Sequence, residues 1–208
     1  MPGEWHERLR DGEPIVVRPI QPDDREELAA GVQRLSPESR YRRFFTPTSD
    51  LTESQLRYLT EVDHHDHEAL VAVEPATGYG LGVARFVRSP SDPELAEVAV
   101  AVADSWQGRG VASALLTHLA ERARAEGIRR FSAEILADNR PMLELIDDLG
   151  EVTVTDREHG SVAVEVGLPE EDIGAALREA LRAAARGVLR VPHLLGGRVG
   201  TGASEQQR

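Results

Sequence analysis

The stretch Ala99-Val-Ala-Val-Ala-Asp-Ser-Trp-Gln-Gly-Arg-Gly-Val-Ala-Ser-Ala-Leu-Leu116 decides the fold. An apolar, strand-like run ends at Asp104-Ser105, and the glycine-rich turn Gln107–Ala112 follows it. Helical spacing begins at once, with Leu115, Leu116, Leu119 and Ala120 on one side. Strand, glycine turn, helix is an arrangement that presents free backbone N–H groups to an anion. The first N–H groups of a helix have no internal partner, and the helix dipole adds partial positive charge there. Glycine lets a phosphate approach the backbone without meeting a Cβ.

Two familiar phosphate motifs fit poorly. A P-loop requires a lysine after its second glycine, and this chain contains no lysine at all. A dinucleotide fingerprint needs Gly-x-Gly-x-x-Gly. Gly108, Gly110 and Ser113 come near it, with Glu134 downstream as a ribose acid, but only one clear βαβ unit surrounds them.

Working outward from the turn, the sequence alternates between two periods. Ile15–Ile20 reads as an edge strand with Pro19 near its end, after a polar, loosely ordered segment 1–13. Pro22-Asp-Asp-Arg-Glu-Glu opens a helix whose inner face is Leu28, Val32 and Leu35. Ser36 is placed to cap a second short helix leading into Tyr41-Arg-Arg-Phe-Phe45, and Leu51-Thr-Glu-Ser begins a third. Ala69–Val73 and Leu81–Val87 bracket Gly78-Tyr-Gly80, a hairpin signal. Leu95–Ala103 is the next strand. The main helix runs from Val111 to Glu126 and stops at Gly127. Arg130–Leu136 is a strand, Pro141–Leu149 a helix ended by Gly150, and 151–155 with 161–166 a last hairpin. Antiparallel strands followed by one parallel crossover predict an α/β (α+β) fold, with a central, mixed, mostly antiparallel sheet flanked by helices.

Beyond Pro169 the character changes. Residues 169–190 read as a C-terminal helical extension, with Ile173, Leu177, Leu181 and Ala184 at helical spacing. That helix could pack on the domain or join two copies as a homodimer. Residues 191–208 are Gly-rich and polar and read as a disordered tail.

Composition narrows the function. The chain has 208 residues, 40% of them apolar, enough for one domain with a core. No apolar run approaches the ~18 residues of a membrane span, so no membrane partner is expected. The N-terminus lacks the basic and apolar regions of a signal peptide, and with no cysteine in the chain a cytoplasmic location is the default expectation. There is no cysteine. Disulfides, thiolate metal sites and cysteine nucleophiles are excluded. A net charge of −12 argues against nucleic acid and suits a cationic partner, although solubility alone accounts for it equally well. All 24 basic residues are arginine, a pattern that compositional drift explains.

The segment Gln107-Gly-Arg-Gly-Val-Ala112 matches Gln/Arg-x-x-Gly-x-Gly/Ala and resembles the pyrophosphate loop of the GNAT superfamily of N-acetyltransferases. The strand carrying Glu97, the helix after the loop, strand Arg130–Leu136 and Asp138-Asn139-Arg140 stand in the same order as in that family, so the resemblance covers residues 14–168. Further segments are similar to the bacterial protein-lysine acetyltransferases of the Pat type: Ser36-Pro-Glu-Ser-Arg-Tyr-Arg-Arg-Phe-Phe45, Asp66-His-Glu-Ala-Leu-Val-Ala72 and Trp106-Gln-Gly-Arg-Gly110. Those enzymes often carry an added regulatory domain, for which 208 residues leave no room.

The resemblance implies acetyl-CoA as co-substrate and an amine as acceptor, a protein lysine ahead of a small-molecule amine. Two other readings, a non-catalytic CoA-sensing module and a dinucleotide-binding protein, would be separated from it by activity and by ligand choice. Acetyl transfer needs a neutral amine, a stabilised oxyanion and a departing thiolate. Glu97 is the candidate general base. It shares a strand face with Ala99, Ala101 and Ala103, and partial burial there would raise its pKa; a solvent-facing strand acid is the plainer alternative.

The resemblance assigns the backbone of Val100 and Val102 to the pantetheine arm and the thioester oxygen. It assigns Gln107, Gly108, Arg109, Gly110, Val111, Ala112 and Ser113 to the pyrophosphate, and Asn139 to CoA. Arg109 is equally an exposed turn residue, and Asn139 equally a helix N-cap. Phe44 and Phe45 are either core or a wall of the acceptor site. Many GNAT enzymes place a tyrosine general acid after the asparagine, but Met142–Leu149 has none, so the acid stays unassigned. His64, His65 and His67 with Asp63 and Asp66 form one local cluster without a distant partner, and no metal is expected there. His67 is expected to orient its loop beside the sheet.

Overall fold

A computed structural model describes residues 3–44, 50–148, 150–158 and 160–168. The chain runs β1 (Trp5–Arg8), β2 (Pro14–Pro19), α1 (Arg25–Arg34), α2 (Pro37–Phe44), α3 (Glu53–Thr60), β3 (His67–Val73), β4 (Gly80–Arg88) and β5 (Leu95–Val102). It continues through α4 (Val111–Ala125), β6 (Arg130–Leu136), α5 (Arg140–Asp147), β7 (Val152–Glu158) and β8 (Ser161–Gly167). One sheet holds all eight strands in the order β1-β2-β3-β4-β5-β6-β8-β7. Every neighbouring pair is antiparallel except β5–β6, which α4 joins as a parallel crossover.

The helix ends follow the sequence signals. Ser36 Oγ accepts from the Ser39 N–H at 3.1 Å and starts α2. Thr52 and Gln55 form a reciprocal capping box at α3. Gly127, at φ +81°, ends α4, and the Ile128 N–H returns to the Ala123 carbonyl. Pro22 opens a 3-10 turn, Pro22–Asp24, rather than α1 itself, and Asp24 takes both guanidinium nitrogens of Arg18 at 2.7 and 2.8 Å.

The alternation along β3 explains its nearly unbroken apolar run, because both faces are covered. Leu70 and Ala72 join Leu81, Phe86, Val98, Leu115, Leu119, Phe131, Ile146 and Val164 in the larger core, formed with α4 and α5. Ala69, Val71 and Val73 face the other way, into a smaller cluster with Val16, Ile20 and Leu28 of α1.

Two expectations are corrected. Residues 5–8 are not loosely ordered but form β1, and β2 is therefore an interior strand rather than an edge. The polar letters of Trp5-His-Glu-Arg8 conceal a strand whose inward side chains are Trp5 and Glu7. Trp5 stacks on His118 of α4, ring centroids 4.5 Å apart, and Glu7 Oε1 lies 3.0 Å from His118 Nε2. The expected C-terminal helix (169–190), the tail (191–208) and Phe45 lie outside the described residues. Among the described residues no helix is long and apolar enough to cross a membrane.

Candidate functional site

The sheet forks between β5 and β6. Pairing covers only Leu95↔Arg130, Ala96↔Phe131 and Glu97↔Ser132. Beyond that rung Val98–Val102 has no strand partner on the β6 side. β5 keeps its full ladder with β4 as far as Gly82↔Val102, while β6 stays paired with β8. A cleft of about 620 Å³ fills the fork. It is lined by Glu97–Val102 from one strand and Ala133–Ile135 from the other, with Trp106–Gly108 and Gly110–Ser113 at one end and Asn139 with α5 along a side. Consecutive β5 residues of both parities line it, so the cleft reaches both faces of the sheet.

The loop at the cleft's end has the geometry an anion requires. Gly108 at φ +72° and Gly110 at φ +106° occupy the left-handed region that favours glycine. Gly110 is the N-cap of α4, no side chain caps it, and the first turn carries no acidic residue. The N–H groups and dipole of α4 therefore open into the cleft.

The loop's two polar side chains brace it from inside. Gln107 Nε2 donates to the Val102 carbonyl at 3.1 Å, to Asp104 Oδ1 at 3.0 Å and to Ser39 Oγ at 3.1 Å. Arg109 Nε donates to Asp11 Oδ2, and its guanidinium lies 4.0 Å from the centroid of Trp106. Arg109 does not line the cleft, which leaves Gln107, Gly108, Gly110, Val111, Ala112 and Ser113 of the expected loop residues on its wall.

Asp104 was missed by sequence reading. Its Oδ2 accepts from the Ser36 N–H at 2.6 Å, and its Oδ1 from the Ser39 hydroxyl. Burial pushes the Asp104 carboxyl up, but the hydrogen bonds from Ser39, Ser36 and Gln107 outweigh it and hold its pKa below the usual value. Asp104 thus ties the start of α2 to the glycine loop.

Glu97 lies on the cleft wall, and it is exposed rather than partly buried. The β5–β6 pairing ends at this residue, and the fork opens immediately beyond it. Arg43 of α2 faces it: burial depresses the guanidinium's pKa and the Glu97 charge opposes that shift. On the same side of the sheet, Arg85 stands opposite Ala99 and donates to the Leu59 carbonyl at 3.1 Å. Burial, with the like charge of Arg43, pushes Arg85 down to about 10. His67 Nε2 lies 3.2 Å from Arg85 Nη1, and burial followed by the Arg85 charge keeps its pKa below the ordinary histidine value. The contact links the first residue of β3 to β4. Two adjacent arginines in Arg42-Arg43 were the available signal for this cluster, but nothing in the sequence singled out Arg85.

Asn139 is the N-cap of α5 by position, yet its side chain makes no capping hydrogen bond and it lines the cleft. Val100 and Val102 lie on the stretch of β5 that pairs with β4 but has no partner on its β6 side. Phe44 is the last residue of α2. The clustered histidines diverge: His64 Nδ1 meets Glu68 at 2.8 Å, His65 Nδ1 meets Glu126, and His67 meets Arg85. Among the described residues no three His, Cys, Asp or Glu side chains are arranged to hold a metal.

Comparison with known proteins agrees with this geometry. Residues 34–150 match the acetyltransferase (GNAT) family. The chain is 39% identical over 186 residues to acetyltransferase Pat of Mycolicibacterium smegmatis, covering 88% of this chain and 55% of that protein. It therefore spans about half the length of that relative. It is 32% identical over 148 residues to acetyltransferase PA5475 of Pseudomonas aeruginosa, covering 70% of this chain and 79% of the relative. The crystal structure of the GNAT domain of S. lividans PAT superposes with a TM-score of 0.74 at 38% identity, over 81% of this chain and 99% of that one. With the forked sheet, the glycine loop and these matches together, the chain belongs to the GNAT acetyltransferase family.

Proposed function

We propose that this protein moves the acetyl group of acetyl-CoA to the side-chain amine of a protein lysine, by direct attack within a ternary complex. The observation that carries the reading is the fork itself, with Glu97 at its apex, an unpaired strand edge along it and the α4 N-terminus at its end. The pyrophosphate rests on the N–H groups of Gly108–Ser113. The pantetheine arm runs along Val98–Val102, with the backbone of Val100 and Val102 as its partners, and Asn139 meets the arm from α5. Acidic side chains at Glu97, Glu134, Glu144 and Asp148 line the cleft and suit a cationic acceptor.

The amine nitrogen attacks the thioester carbonyl, and main-chain N–H groups of β5 stabilise the oxyanion. Glu97 takes the proton that the amine must lose, directly or through one water. The C–S bond then breaks and the CoA thiolate leaves. No tyrosine stands among the described residues lining the cleft, so the thiolate departs unprotonated or takes its proton from water.

Mass spectrometry of acetyl transfer from acetyl-CoA to a panel of lysine-bearing proteins and small amines tests this. Acetylated lysine in a protein substrate is the expected result. Modification of small amines alone would reassign the acceptor, and acetyl-CoA binding without transfer to any amine would remove the catalytic reading.

A further inference from the structure

The resemblance assigns Arg109 to the pyrophosphate, but its guanidinium is held by Asp11 and stacked on Trp106. A net charge of −12 opposes the approach of a polyanionic co-substrate, and a cation at the contact offsets that repulsion. We propose that Arg10, on the β1–β2 turn and outside the family's strand–loop–helix motif, binds a phosphate group of CoA over the glycine loop. The proposal rests on the acetyl-CoA reading above.

Four observations support it. Arg10 lines the same cleft as Gln107, Gly108, Gly110 and Val111. Its side chain lies over the N-cap of α4: a Cβ placed at Gly110 would stand 3.6 Å from Arg10 Cγ and 3.9 Å from its Nε. The other arginines on the cleft wall are engaged, Arg42 with Glu38 at 2.6 Å and Arg43 opposite Glu97. Among the described residues no carboxylate pairs with Arg10.

The turn that carries Arg10 is also anchored to the loop. The Arg10 N–H donates to the Arg109 carbonyl at 3.2 Å, Asp11 grips the Arg109 guanidinium, and the Leu9 N–H closes the turn on the Glu13 carbonyl at 2.9 Å. Leu9 is buried in the main core, and Trp5 stacks on His118. Arg109 thereby acts as a strut that brings a neighbouring arginine to the phosphate, and the N-terminal hairpin becomes part of the donor site. A guanidinium suits this place because its fork of donors matches phosphate oxygens.

Calorimetric titration of the full chain with acetyl-CoA tests the assignment, using wild type, Arg10→Gln and Arg10→Lys. One charge-assisted contact predicts that Arg10→Gln weakens acetyl-CoA binding about tenfold. Its salt dependence should become shallower, and Arg10→Lys should recover most of the loss. S-acetylpantetheine, which lacks the phosphates and is followed by NMR shift perturbation, should bind wild type and Arg10→Gln alike. With acetyl-3′-dephospho-CoA, a persisting loss assigns Arg10 to the pyrophosphate and a vanishing loss assigns it to the 3′-phosphate. Equal acetyl-CoA affinity in wild type and Arg10→Gln overturns the proposal, as does an equal loss with S-acetylpantetheine. Wild type that binds no acetyl-CoA overturns the acetyltransferase reading itself.

Discussion

Glu97 and Ser132 form the last rung of the parallel β5–β6 ladder. The candidate base therefore sits where hydrogen bonding between the two strands stops. Up to that rung the neighbouring strand holds its Cα in place, and beyond it the backbone of the same strand is open to a ligand. The ladder to β4 continues on the opposite side as far as Val102. On the proposed mechanism, one register would set the distance between the proton acceptor and the thioester oxygen.

Replacing Glu97 by Gln keeps the shape and removes the base. Turnover should fall by about 10²- to 10⁴-fold, the usual contribution of a positioned general base. Acetyl-CoA affinity should stay as it is, because the loop and the strand edge are untouched. Steady-state kinetics with a protein acceptor, paired with calorimetry on acetyl-CoA, separates the two effects. Normal turnover in Glu97→Gln would remove this residue from the mechanism.

Gly110→Ala tests the loop. The new Cβ would meet only ordinary contacts, the nearest 3.6 Å away on Arg10, so crowding is not the difficulty. The backbone is: φ of +106° is unfavourable for any residue with a Cβ, at roughly 1–2 kcal/mol. If the loop relaxes to relieve this strain, the N–H groups of α4 turn from the cleft and the KM for acetyl-CoA rises. If it does not relax, the strain appears as lost thermal stability. A variant unchanged in both respects would show that this conformation does not matter to the site.

Glu68 is fully buried, and its two oxygens are spoken for. Oε1 takes the Ala69 N–H at 3.0 Å and meets His64 Nδ1 at 2.8 Å, while Oε2 takes Arg122 Nε at 3.1 Å. Removing one partner of such a pair strands the other charge. Glu68→Gln should therefore cost about 3 kcal/mol in urea unfolding. Arg122 keeps a second contact with Glu126 at 3.3 Å, which places the loss at the low end of the usual range. Replacing Glu68 and Arg122 together by Met should restore much of the stability, since no charge is then left alone.

Long periodic segments were legible in the sequence because local and tertiary demands coincide there. The turn at Gly108 and Gly110 requires positive φ, the following leucines require a core, and both requirements hold in the structure. Strand β1 was not legible. Its inward residues are one tryptophan and one glutamate, and Glu7 is half-buried only because His118 arrives from α4, far along the chain. The exposure of Glu97 was hidden for a similar reason, since alternation assigns a face and says nothing about where a neighbouring strand departs. The side-chain bracing of Gln107 and Arg109 was not legible because Ser39 and Asp11 lie on other elements, beyond the reach of a motif.

His118 offers a test of the N-terminal attachment through pH. Its ring is 2% exposed, stacked on Trp5, with Glu7 Oε1 3.0 Å from Nε2 and Glu121 Oε2 3.1 Å from Nδ1. Burial pushes the imidazole's pKa down, but the carboxylates of Glu121 and Glu7 outweigh it and hold the pKa above the ordinary value near 6.5. A group whose folded pKa is raised stabilises the fold fully below its unfolded pKa, and that stabilisation is lost as pH rises through the folded value. Unfolding free energy should therefore decline from about pH 6 upward more steeply in wild type than in His118→Gln, which has no such proton to lose. Hydrogen exchange should locate the loss: amides of β1 should lose protection over the same pH window in wild type, with those of β4 unaffected. Equal pH slopes in the two proteins would show that the imidazolium does not clamp β1 to α4.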